Sequence, residues 1–117
     1  MDASFPAKLT NFLWQRYVCF GKEVGKGFLI LSCELIDNNG KVLKDYVVRY
    51  ARLWKLPEEF ISWIARENTF CSTLVDRIIT GYPRTEAVLM NEESGYEDAV
   101  IDTGEPFAFW AIEGPVW

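Results

Sequence analysis

A chain of 117 residues, half of them hydrophobic and 15% aromatic, has room for one folded domain and is too apolar for a disordered segment. Its net charge of −5, from 12 Lys and Arg against 17 Asp and Glu, leaves no basic footprint for a nucleic-acid partner. With 0 histidines, Ser-His-Asp and Cys-His nucleophilic sites are excluded and a protein-held zinc has few ligands to draw on; the expected metal set is none.

The first element is a helix. Ser4 stands at a capping position, Pro6 lies near the start, and Leu9, Phe12, Leu13, Tyr17 and Phe20 recur at helical spacing up to Gly21. Lys8, Asn11 and Gln15 break this segment, so it is neither a membrane span nor a signal peptide, and no membrane partner is expected. Gly25-Lys26-Gly27 is too short for a phosphate loop and leads into Phe28-Leu29-Ile30-Leu31, a continuous apolar run that suits a strand buried on both faces. Asp37-Asn38-Asn39-Gly40 reads as a turn. Helical spacing resumes from Lys41 to Trp54 through Leu43, Tyr46, Val47 and Tyr50, and Pro57-Glu58-Glu59 restarts a helix whose apolar face holds Phe60, Ile61 and Ile64.

A second strand is predicted over Ser72 to Ile79, a short helix over Thr85 to Tyr96, and a third strand over Pro106 to Ile112. Helices alternating with buried strands indicate an α/β layer structure with a mainly parallel sheet and flanking helices. Cys19, Cys33 and Cys71 are odd in number and lack metal-site spacing, so they read as reduced, mostly buried thiols of a cytoplasmic protein.

Ligands of open α/β sheets collect beyond the carboxyl ends of the strands. Ser32, Cys33 and Glu34 occupy such a tip, either as ligand contacts or as the start of a loop with Cys33 filling a small gap. Ser72 and Thr73 offer hydroxyls on the second strand. Asp76 and Arg77 are adjacent, so they point to opposite faces and cannot both reach one ligand; Arg77 reads as a structural anchor. The aromatics Phe109 and Trp110 read as core, and Glu113 is a weak candidate at a strand end.

Four blocks, in order along nearly the whole chain, carry a resemblance. They are Ser4-Phe5-Pro6-Ala7-Lys8-Leu9-Thr10, Ser32-Cys33-Glu34 followed by Asn39-Gly40, Phe70-Cys71-Ser72-Thr73-Leu74-Val75-Asp76-Arg77-Ile78, and Glu105-Pro106-Phe107 with Trp110 and Glu113. Together they resemble the polyol-specific long-chain dehydrogenases, the family of mannitol dehydrogenases and hexuronate reductases. Cys71 and Thr80-Gly81-Tyr82-Pro83 are most similar to the branch that interconverts tagaturonate and altronate.

The resemblance implies a partial Rossmann-like fold, with residues 1–117 as the later part of a nucleotide-binding domain. An amino-terminal dinucleotide fingerprint and a carboxyl-terminal helical substrate domain, which brings the catalytic lysine, are then expected from the rest of a longer chain. It implies NAD as cofactor and a small sugar acid as substrate, with hydride transfer as the reaction. Ser32, Cys33 and Glu34 are expected beside the nicotinamide end of NAD. Ser72 stands where the family places an asparagine that holds the reacting carbonyl oxygen, and its shorter hydroxyl makes a weaker donor. By itself this stretch is expected to be inactive. The competing reading is a stand-alone α/β module whose exposed aromatics bind a protein partner.

Overall fold

The computed structural model describes residues 4–21 and 26–115; Gly25 of the Gly25-Lys26-Gly27 stretch lies outside them. Helix α1 (Phe5–Phe20) starts as expected with a proline in its first turn, where the missing N–H has no intrahelical acceptor to lose. Ser4 precedes it in extended geometry but makes no cap bond. Its hydroxyl instead meets the Tyr50 hydroxyl at 3.1 Å, tying the start of α1 to the next helix.

Strand β1 (Leu29–Leu31), helix α2 (Asn39–Leu53), helix α3 (Glu58–Glu67) and strand β2 (Thr69–Asp76) follow. β1 and β2 run parallel, with Leu29 opposite Thr69, Ile30 opposite Phe70 and Leu31 opposite Cys71. The three-stranded sheet has the order β1-β2-β5, where β5 covers Phe109–Glu113. The chain is an α/β protein, as the alternation of helical and apolar segments indicated.

The described residues divide into two compact units, one of those up to Leu74 together with residues 111–115 and one of residues 75–110. The core of the first is made by Leu13 of α1, Leu43, Val47 and Ala51 of α2, and Phe60, Ile61, Trp63 and Ile64 of α3. Phe28, Ile30 and Phe70 pack against it from the strand side. Rings reinforce the contact: Phe60 meets Trp14 edge-on at 5.2 Å and Trp63 in a stack at 6.0 Å.

The expectation that β1 is buried on both faces is corrected. Side chains alternate along a strand, so Phe28 and Ile30 go to the helices while Leu29 and Leu31 go to the other face. That face is open in this chain, and Leu29 is 48% exposed. The thiols also differ from expectation, since Cys19 and Cys33 are exposed and only Cys71 is buried. Cys71 lies beneath Gly114, where a Cβ would fall 2.8 Å from its sulfur, closer than real side chains come.

In the second unit, strand β3 (Ile79–Gly81) pairs antiparallel with strand β4 (Thr103–Gly104), and helix α4 (Ala87–Ser94) ends at Gly95. This hairpin-like pair was not foreseen, and Ile79 belongs to it rather than to the preceding strand. Arg77 acts as the anchor expected of it: its Nε donates to the Glu105 carbonyl at 3.1 Å. The Glu105 carboxylate accepts from the Ile78 amide at 2.9 Å, so this acid fixes backbone.

Candidate functional site

The parallel register brings the predicted residues side by side. Because Leu31 pairs with Cys71, the next residues along the two neighbouring strands are Ser32 and Ser72, on the same face. The Ser32 amide donates to the Cys71 carbonyl at 3.5 Å, the last rung before the strands part. Ser32 is only 3% exposed, and its hydroxyl has no hydrogen-bond partner among the described residues. A buried hydroxyl left this way costs free energy, so it is a group in want of a ligand or a water.

Cys33 and Glu34 lie just beyond and are exposed. The Cys33 thiol rests 3.7 Å from the Leu31 carbonyl, and Glu34 contributes to a hollow of about 220 Å³ between the starts of α1 and α2, walled by Phe5, Pro6, Val42, Leu43 and Tyr46. Ser72 is half-buried. Ser32, Cys33 and Ser72 do not line that hollow.

What holds the two tips together is a residue that composition hides. Asn39, expected in a turn, is the first residue of α2 and is 3% exposed. Only Asn38 before it takes the left-handed geometry of a turn, with φ 53°. The Asn39 side-chain nitrogen donates to the Ser32 carbonyl at 3.1 Å, the Glu34 carbonyl at 3.0 Å and the Thr73 carbonyl at 3.0 Å. An amide has two N–H groups, so at least one is shared. Its oxygen accepts from the Thr73 amide at 2.9 Å. The Thr73 hydroxyl in turn donates to the Ser32 carbonyl.

Gly40 makes this approach possible: a Cβ there would sit 2.4 Å from the Cys71 carbonyl oxygen and 2.7 Å from the Ser72 amide. The amino end of α2 is thus pressed against β2 at the residue before Ser72. Together these contacts make a rigid polar ledge at the carboxyl ends of two parallel strands, with one free buried hydroxyl and a second hydroxyl beside it. Such a ledge can donate hydrogen bonds to an oxygen-rich ligand. Among the described residues no cluster of His, Cys, Asp or Glu is suited to hold a metal, and no helix is long and apolar enough to cross a membrane.

Residues 3–116 match the family described as the mannitol dehydrogenase Rossmann domain. Over 112 residues, 96% of this chain, the sequence is 53% identical to altronate oxidoreductases of Klebsiella pneumoniae and Shigella sonnei. The chain spans 23% of the length of those relatives. Among solved structures it is similar to the mannitol 2-dehydrogenase of Pseudomonas fluorescens in ternary complex with NAD and D-mannitol, with TM-score 0.73 and 26% identity over 94% of this chain and 21% of that one. A substrate-free D-sorbitol dehydrogenase gives TM-score 0.74, again at 26% identity, over 94% of this chain and 22% of its own.

Proposed function

The chain belongs to the mannitol dehydrogenase Rossmann domain family, and on that premise we propose that it forms the later part of the nucleotide-binding domain of a longer, NAD-dependent oxidoreductase. The reaction is hydride transfer between the nicotinamide and a CH–OH carbon, with tagaturonate and altronate as the pair of substrates. The observation that carries this reading is the side-by-side seating of Ser32 and Ser72 at the carboxyl tips of two parallel strands, the position where open α/β sheets take their ligands. The 53% identity to altronate oxidoreductases supports a sugar acid as the substrate within the family.

The residues fit the nicotinamide end of NAD. That end presents a carboxamide and ribose hydroxyls, and the buried, unpartnered Ser32 hydroxyl is a match for such groups. Ser32, Cys33 and Glu34 line the cofactor side, and NADH supplies the hydride when bound. Ser72 donates a hydrogen bond to the substrate oxygen, stabilising the negative charge that develops there. The general acid comes from the helical substrate domain outside this chain, and the pyrophosphate contacts come from the amino-terminal dinucleotide fingerprint, also outside it. The reading carries a cytoplasmic location, supported by the exposed free thiols Cys19 and Cys33, which a reducing compartment preserves.

The test is an assay of the full-length protein with NADH against tagaturonate, fructuronate and fructose. NADH oxidation fastest with tagaturonate is the expected result. Turnover of fructose alone would move the substrate to a neutral polyol, and silence with all three would overturn the reading.

A further inference from the structure

We propose that Asn39 is a positioning residue of this enzyme, setting the separation and tilt of the two strand tips so that the Ser32 and Ser72 hydroxyls address one ligand together. This role rests on the oxidoreductase reading above. The argument begins with where the backbone would otherwise be free. Beyond the Leu31–Cys71 pair the ladder ends, and among the described residues only the long 3.5 Å rung at Ser32 remains. Past that rung no backbone bond between the two strands holds them in register among the described residues. Asn39 supplies the replacement from a third element, with its nitrogen on the carbonyls of Ser32, Glu34 and Thr73 and its oxygen on the Thr73 amide. It is buried, and its side chain belongs to neither strand, so α2 acts as the fixed post to which both tips are tied. The Thr73 hydroxyl closes the same circuit by reaching the Ser32 carbonyl.

A second buried asparagine isolates the effect. Asn68 sits at the opposite, amino end of the strand pair, where its oxygen accepts from the Phe28 amide at 2.9 Å and its nitrogen donates to the Trp63 carbonyl at 3.2 Å. It is 5% exposed and clamps the same two strands, but away from the serines. Loss of either amide weakens the fold; only loss of Asn39 disturbs the tips.

The full-length protein carrying Asn39→Ala, Thr73→Val, Thr73→Ser or Asn68→Ala is compared with its parent for kcat, for KM toward NADH and tagaturonate, and for melting temperature. Asn39→Ala is expected to lower kcat per folded molecule by about 100-fold, the scale of a misplacement near 1 Å. Thr73→Val keeps the side-chain shape and removes only the hydroxyl, so it serves where Asn39→Ala does not fold; it is expected to lower kcat about tenfold. Thr73→Ser is expected to recover most of that loss. Asn68→Ala is expected to lower the melting temperature and keep kcat and both KM values within about twofold of the parent.

Parental kcat and KM in Thr73→Val and in folded Asn39→Ala overturn the proposal. So does an equal loss of kcat in Asn68→Ala, which reduces the effect to general loosening. A parent without NADH-dependent turnover overturns the functional reading itself, and the role of Asn39 in catalysis falls with it.

Discussion

Ser72 and Gly40 meet at one peptide unit and ask different things of it. Ser72 has a half-buried hydroxyl beside the unpartnered one of Ser32. If it donates to the substrate oxygen, Ser72→Ala in the full-length enzyme lowers kcat by roughly 10²–10³, the usual cost of one lost oxyanion donor. Steady-state kinetics would show this as a fall in kcat with the NADH KM little changed. Gly40→Ala places a carbon 2.4 Å from the Cys71 carbonyl oxygen, so α2 must move off β2. The expected penalty is about 1–3 kcal/mol of stability, read from urea unfolding of parent and variant. The serines were legible in the sequence, because a strand tip is a known place for ligands. Asn39 was not: Asp37-Asn38-Asn39-Gly40 has the composition of a turn, and nothing in those letters says that the fold buries the third residue and exposes the first two. Its importance comes from acceptors 34 residues away on β2.

Helices and strands were legible to the extent that they repeat. α1, α2 and α3 carry apolar residues at intervals of three and four, and that spacing alone assigns Leu13, Leu43, Val47, Phe60, Ile61 and Ile64 to the inner faces on which the fold buries them. Phe12 and Phe20 also fit the spacing, but they are 54% and 44% exposed, because the apolar stripe of α1 is wider than the surface that α2 and α3 offer it. β3 and β4 span 3 and 2 residues, too short for any alternation to register. Their pairing is fixed instead by Arg77 and Glu105, of which only the anchoring part of Arg77 was foreseen. At this scale Phe60 is the critical side chain. It is fully buried between α1 and α3 against Trp14, Tyr17 and Trp63, and Phe60→Ala is expected to cost about 3–5 kcal/mol in a denaturant titration. A loss of that size is a large share of the 5–15 kcal/mol that typically holds a domain together.

Taken whole, the chain carries two neighbouring strand tips with a serine on each and a sheet face on which Leu29 and Leu31 are exposed. Family membership could be read early because four separate blocks agree in order across the sequence, whereas the substrate could not, because in the proposed reading the groups that grip a sugar acid belong to other parts of a longer enzyme. Calorimetry with NADH is expected to give no micromolar binding for residues 1–117 alone and clear binding for the full-length protein, since the proposed reading puts the helix amino terminus that holds the cofactor's pyrophosphate outside this stretch. Micromolar affinity in the short chain would put the phosphate site within it. Gly114, lying over Cys71, gives the molecule a built-in clock. An alkylating reagent should modify Cys19 and Cys33 at the rate of free thiols, while Cys71 waits for the segment above it to lift. The lag between two quick additions and one slow one, followed by mass, would time the breathing of this sheet edge, and a reagent would thereby report whether a bound cofactor keeps it shut.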